Sequence, residues 1–372
     1  MRKDLRKRSF RGTRFLMAAV SLTGLFIFLE DTSNLEAGYV RTGHRHYRHS
    51  HYRSIRLAAV HGRHDWYLSD RRPVSRGTIA PPAALDIQIR LDQAGFSPGE
   101  IDGNLGRNTR LALAAFQQAR GLQPAATIDE ATRQALSNSG ASETLVSHKL
   151  TPDDVAGPFL DNIPRDLMKQ ATLPGLYYTS PIEKLGEKFH ISPMLLKRLN
   201  PGTKFAAGEE IKVPNVSGTS GSEKEAATPA PPANGGGVTV VVSKKGSSLT
   251  VKTADGRVIF HAPVTSGSEH DPLPIGQWKV TGVSKNPTFH YNPTLFWDAK
   301  SRGGKADIKP GPNNPVGVVW IDISKEHYGI HGSPEPGNIG HTSSHGCVRL
   351  TNWDAMKVAS LVKPGTPVFF VE

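Results

Sequence analysis

Residues 215–237, rich in Gly, Ser, Ala, Pro and Glu, cut the chain into two parts with different rhythms. Upstream, between 83 and 214, apolar residues recur at helical spacing. Downstream they come as short β-branched runs: Val238–Val242, Leu249–Lys252, Val258–Val264, Trp278–Val283, Val318–Ile323 and Val368–Val371. One helix interrupts that β pattern. Thr351 and Asp354 cap it, and Ala355, Val358, Ala359 and Val362 share the face that packs back on the sheet. A chain of 372 residues divided in this way is multidomain, and its last part, 238–372, is a mainly β module.

Residues 83–138 predict three helices. The first carries Ala84, Ile87, Leu91 and Ala94, and the second Thr109, Ala112, Ala115, Phe116 and Ala119. The third opens on a Thr127–Glu130 capping box and ends near Leu136. Gly95-Phe96, Ile101-Asp102-Gly103, Leu105-Gly106, Thr109, Phe116-Gln117 and Gly121-Leu122 resemble the peptidoglycan-binding domain 1 family, with Pro124-Ala125-Ala126 in place of its usual Asp-Gly. The resemblance implies adhesion to glycan or stem peptide, where the residues alone indicate a small helical spacer. Residues 174–214 predict a strand at Leu176–Tyr178 and a helix capped by Ser180, Pro181 and Glu183. A second helix from Ser192-Pro193 and a strand at Ile211–Val213 follow. This small α+β order resembles a LysM domain without its Gly-Asp-Thr, which leaves glycan binding and a spacer role as equal readings.

Most of the net charge of +12 lies at one end, since residues 1–76 hold 16 Lys/Arg against 6 Asp/Glu. The folded modules are nearly neutral, which argues against nucleic-acid binding; the basic tail suits anionic membrane or cell-wall polymers instead. Seven Lys/Arg precede an apolar run from Phe15 to Leu29, the form of an export signal. At about 1.5 Å per residue that run is short for a bilayer core. Residues 1–37 therefore read as a signal peptide, with Leu35-Glu36-Ala37 as a candidate cleavage site, or as an uncleaved anchor in the inner membrane. Either way the remainder is exported to the periplasm or cell envelope. Residues 38–80, basic and His-rich between His44 and His64, read as a disordered tail; the spacing fits no closed metal site, so no metal and no cofactor are assigned.

Cys347 is the one cysteine, so no disulfide framework exists and the thiol is either buried or used. Its neighbours favour use. Tyr328-Gly329-Ile330-His331-Gly332-Ser333 precedes a Pro/Gly loop and then Ser343-Ser344-His345-Gly346-Cys347-Val348-Arg349-Leu350. A nucleophilic cysteine needs an imidazole to stabilise its thiolate, and His331 can return to it across the loop. His345, two residues from the sulfur, is better placed to shape the pocket. Gly346 either makes a tight turn or lets backbone N–H groups approach an oxyanion, with Gly346, Cys347 and His345 as the donors.

These residues resemble the signature of the L,D-transpeptidase catalytic-domain family: His-Gly, a loop, then Ser-His-Gly-Cys, an apolar residue and Arg or Asn. Pro274–Trp278, Gly311-Pro312, Asn314–Gly317 and Pro364–Val368 agree in order. The resemblance implies a β-sandwich or barrel with a capping helix. It also implies a cysteine acyltransferase acting on a peptidoglycan stem tetrapeptide, with an amine as acceptor. It assigns Cys347 as nucleophile, His331 as base and the Gly332 carbonyl as orienting group, and places Ser344, His345, Arg349 and Ser333 along the substrate pocket. The segment 286–310 is a candidate lid. A catalytically silent wall-binding scaffold, a carboxypeptidase and a protein-to-wall anchoring enzyme are the alternatives.

Overall fold

The computed structural model describes residues 82–125, 128–216, 237–297, 299 and 304–372. The leader, the His-rich segment, most of the linker and Thr127 lie outside the described residues. Among the described residues no helix is long and apolar enough to cross a membrane.

The first module consists of α1 (Pro82–Gln93), α2 (Arg107–Ala119) and α3 (Glu130–Ser137). Ile87, Leu91, Leu113, Phe116 and Leu136 form its core together with Phe96, whose ring meets Phe116 edge-on at 5.4 Å. The cap of α3 differs from expectation. Asp129, immediately before the helix, is the N-cap and accepts from the Thr132 N–H.

The second module pairs β1 (Leu145–Lys149) antiparallel with β2 (Glu210–Pro214). Between them run the one-turn helices α4 (Pro152–Val155) and α5 (Leu167–Gln170), then α6 (Pro181–Lys188) and α7 (Pro193–Leu199). The strand expected at Leu176–Tyr178 is absent. The Leu176 N–H donates to the Pro310 carbonyl and the Leu176 carbonyl accepts from the Asn313 N–H, so the backbone of Leu176 is engaged by the third module. Ser180 and Ser192 cap α6 and α7 as expected. Glu183, however, takes the Thr179 N–H and leaves the Ser180 N–H, so the capping box is not closed.

The third module has β3 (Val238–Ser243), β4 (Ser248–Thr253), β5 (Val258–Pro263), β6 (Thr265–Ser266), β7 (Gly276–Lys285), β8 (Phe289–Tyr291) and β9 (Ala306–Ile308). It continues through β10 (Val319–Ile323), β11 (Gly329–His331), β12 (Val348–Arg349), α8 (Asn352–Leu361) and β13 (Pro367–Val371). Nine of the strands form one sheet in the order β5-β4-β3-β13-β7-β10-β11-β12-β6. Only Val264 separates β5 from β6, so the chain passes from one edge of the sheet directly to the other and rolls it on itself. Val238, Val240 and Val242 alternate inward on β3, and Val319, Ile321 and Ile323 on β10. Ala355, Val358, Ala359 and Val362 of α8 close the same core, and Thr351 caps that helix.

The modules are not separated as the linker implied. Leu85, Ile89 and Ile101 of the first module belong to the core of the second, with Leu185, Phe189, Leu196 and Val213. The first module also extends the third module's sheet. His261 on the edge strand β5 donates its N–H to the Gly95 carbonyl at 2.9 Å, and its carbonyl accepts from the Ser97 N–H at 2.8 Å. An open sheet edge is an aggregation template, and these bonds cover it. Against α8, the Ser97 hydroxyl donates to Asp354 and the His190 ring stacks on Trp353 at 4.9 Å.

Candidate active site

The site is built on two short strands that flank the Pro/Gly loop. β11 and β12 run parallel, with Ile330 opposite Val348 and His331 opposite Arg349. Ile330 and Val348 turn into the core, fully buried. Side chains alternate faces along a strand, so His331, Arg349 and, two residues before it, Cys347 share the opposite face. In antiparallel pairs diagonal neighbours on one face sit roughly 7 to 8 Å apart, somewhat less between Cβ atoms, and a comparable separation here would let an imidazole approach a thiol. The Cys347 thiol is half-buried, its Sγ 3.9 Å from the His327 carbonyl.

His331 is held on two sides. Its Nδ1 lies 2.7 Å from the Gly332 carbonyl, which can only accept, so Nδ1 carries the proton and Nε2 is left as the basic nitrogen. Trp320, its direct partner on β10, stacks on the ring at 5.4 Å. Gly329 makes room for this indole, since a Cβ there would run into it. Trp320 escaped the sequence reading; its signal was a place beside His331 in the ladder, which requires the register.

Electrostatics correct the expectation of a resting thiolate. His331 is 3% exposed, and burial, with the Arg349 charge added, pushes its pKa down to about 3 against a weaker opposing effect of the Gly332 bond. Burial pushes the Cys347 thiol up, opposed by a backbone hydrogen bond at Gly329 and by Arg349. Both shifts disfavour the ion pair and favour the neutral thiol beside a neutral imidazole.

Gly346 has φ +97°, and a Cβ there would collide with the Tyr328 ring. It makes a left-handed turn in contact with an aromatic wall, which selects glycine twice over. Ser344, expected along the substrate pocket, is 4% exposed; its hydroxyl donates to the Cys347 carbonyl at 2.6 Å and accepts from the Gly267 N–H at 2.8 Å. It braces the cysteine loop. Ser333, also expected there, is buried and accepts from the Glu335 N–H. His345 lies against Phe296 at 5.1 Å and Trp297 at 6.2 Å. Both aromatics come from the segment that joins β8 to β9, so the candidate lid reaches a residue two positions from the sulfur. Trp297 is half exposed, at 51%.

The loop between His331 and Cys347 is held both from the first module and from within its own. Asn108 at the start of α2 donates to the Ile339 carbonyl at 2.8 Å, and Thr265 accepts from the Gly340 N–H at 3.0 Å. Among the described residues no group of three or more His, Cys, Asp or Glu side chains is arranged to hold a metal ion.

Residues 237–370 match the family described as the L,D-transpeptidase catalytic domain, and residues 81–136 match one described as a peptidoglycan binding domain. Neither match supports the LysM resemblance of 174–214. YkuD of Bacillus subtilis (strain 168), named as an L,D-transpeptidase, is 27% identical over 189 residues, which cover 50% of this chain and 91% of that protein. ErfK/SrfK of Escherichia coli (strain K12), named likewise, is 30% identical over 164 residues, covering 37% of this chain and 53% of that one. Among solved structures, L,D-transpeptidase 3 from Mycobacterium tuberculosis with a faropenem-derived adduct aligns at 20% identity and a TM-score of 0.31. That alignment covers 37% of this chain and 61% of that one.

Proposed function

We propose, from the L,D-transpeptidase catalytic domain that residues 237–370 match, that this chain is an exported cysteine acyltransferase that cross-links peptidoglycan stem peptides. The observation that supports the reading is the parallel pairing of β11 with β12, which puts His331 level with Arg349, two residues from Cys347. Cys347 Sγ attacks the carbonyl that joins the third stem residue to a terminal D-Ala, while its proton passes to His331 Nε2. With the thiol shifted up and the imidazole shifted down, proton transfer that accompanies attack is favoured over a preformed ion pair. The carbonyl oxygen, briefly anionic, is met by backbone N–H groups of the 345–347 turn, which the left-handed Gly346 shapes.

The C–N bond then breaks, D-Ala leaves with the proton from Nε2, and the acyl group stays on sulfur as a thioester. An acceptor amine attacks the thioester, a new amide forms and the thiol is restored. Arg349, level with His331 on the same face, is suited to a substrate carboxylate. The first module, by its match to a peptidoglycan binding domain, adds contact with the polymer. Glycan contact by the second module and wall or membrane contact by the basic tail are further parts of this reading.

Incubation with a disaccharide-tetrapeptide tests it. Cross-linked dimer and free D-Ala are expected from the native chain and neither from Cys347→Ala. D-Ala release without dimer would mark a carboxypeptidase, and an unchanged substrate would mark a silent scaffold.

A further inference from the structure

Helix α6 belongs to the second module, yet it grips the catalytic domain at two points one helical turn apart. Glu183 Oε1 accepts from Asn313 Nδ2 at 2.7 Å. Glu187 accepts from Asn352 Nδ2 through both carboxylate oxygens, at 2.9 and 3.0 Å. Positions i and i+4 share one helix face, so the two carboxylates act as neighbouring clamps on two asparagine amides.

The Asn352 clamp leads to the reacting groups. Asn352 is buried at the start of α8, and its Oδ1 accepts from the Val318 N–H at 3.2 Å. A backbone N–H can only donate, which fixes the amide orientation; Nδ2 then gives its hydrogens to Glu187 and to the Pro312 carbonyl at 3.1 Å. Oδ1 packs against Gly317 and Gly332 so closely that a Cβ on either glycine would strike it. The Gly332 carbonyl is the acceptor that sets the tautomer and tilt of His331. From Glu187 to the imidazole there is an unbroken series of hydrogen bonds and backbone contact, and every member has a defined orientation.

We propose that Glu187 is a positioning residue for proton transfer at His331, acting through Asn352 on the Gly332 turn. The module outside the catalytic domain thereby completes the support of the base. This rests on the transpeptidase reading only where turnover is measured. Without Glu187 the Asn352 amide loses an acceptor, rotates toward another, and the Gly332 turn it abuts is free to shift. Small displacements of a base are costly, up to about 100-fold for roughly 1 Å.

The test compares full-length Glu187→Ala, Glu187→Gln and Glu183→Ala in tetrapeptide turnover, and in the pH profile of Cys347 alkylation by iodoacetamide, which needs no transpeptidase activity. Glu187→Ala is expected to lower kcat at least about 10-fold with KM little changed and to shift the alkylation profile. Glu187→Gln, which keeps an acceptor for Asn352, restores most of both. Glu183→Ala, on the same interface but bonded to Asn313 and not to Asn352, leaves the alkylation profile as in the native chain. If Glu187→Ala does not fold, Glu187→Asp, one methylene shorter, is read in the same two assays with the same expectation. Equal losses in Glu183→Ala and Glu187→Ala would overturn the proposal, as would a native profile in the Glu187 variants. If even the native chain fails to turn over substrate, the transpeptidase reading falls and the alkylation profiles still decide the role of Glu187.

Discussion

Trp320 and His331 face each other across β10 and β11, their rings stacked at 5.4 Å with planes 18° apart. With Nδ1 bound to Gly332, the indole fixes the remaining freedom of the ring. Trp320→Leu keeps an apolar neighbour and removes the stack, a contact of about 0.5 to 1.5 kcal/mol. Steady-state kinetics should show kcat falling roughly 10-fold with KM little affected.

The neutral resting pair gives a second expectation. With the thiol pushed up and the imidazole pushed down, the native protein at neutral pH should lack the ultraviolet band of a thiolate. Alkylation of Cys347 should accelerate only on the alkaline side of an ordinary thiol. A fast, pH-independent alkylation through the neutral range would mean that an ion pair is present after all.

Stability should depend on pH in two opposite ways. Burial lowers His331 to about 3 and His261 to about 4, from 6.5, so the unfolded chain binds more protons between those values. Their contribution is complete above pH 6.5 and is lost as pH falls toward 3. Burial raises Glu100 and Asp354 to about 7 and Glu187 to about 8, so there the folded chain holds more protons. That contribution is complete below the ordinary carboxylate values and is lost as pH rises through about 7 to 8. Melting temperatures followed from neutral to alkaline pH should fall less steeply in Glu187→Gln than in the native chain.

Gly346→Ala adds a Cβ at φ +97° in front of the Tyr328 ring. The left-handed conformation alone costs about 1 to 2 kcal/mol. Thermal denaturation should register that loss, and acylation should fall further because the turn bearing the cysteine must move. Tyr328→Ala in the same chain relieves the collision and leaves the backbone strain, so it should recover only part of the stability.

A fragment of residues 238–372 would lose the Gly95–Ser97 segment that covers β5 and the α6 clamps on Asn313 and Asn352. Size-exclusion chromatography should show it self-associating more than the full chain, through the uncovered edge. A monodisperse and fully active fragment would show that the upstream modules are dispensable to the fold.

What could be read from the sequence follows element length. β3, β4, β10 and β13 alternate long enough to declare themselves, and so does the inward face of α8. β11 and β12, three and two residues long, are too short for any period, and only the chemistry of Cys347 and His331 drew attention to them. Leu176–Tyr178 has a strand's composition, but the backbone partners of Leu176 lie in another module, which no local pattern records. Ser344 and Ser333 were placed along the pocket by motif, whereas their hydroxyls are occupied by the loop. Glu187 lies 165 residues from Asn352, beyond the reach of any spacing argument.

The central claim is that Cys347 becomes acylated with His331 as its base, and intact-protein mass spectrometry of the full chain with a stem tetrapeptide measures it directly. The account predicts a mass increase equal to the tetrapeptide less its terminal D-Ala, located on Cys347, absent from Cys347→Ala and strongly slowed in His331→Ala. An adduct on any other residue, or one that forms equally fast without His331, would contradict it.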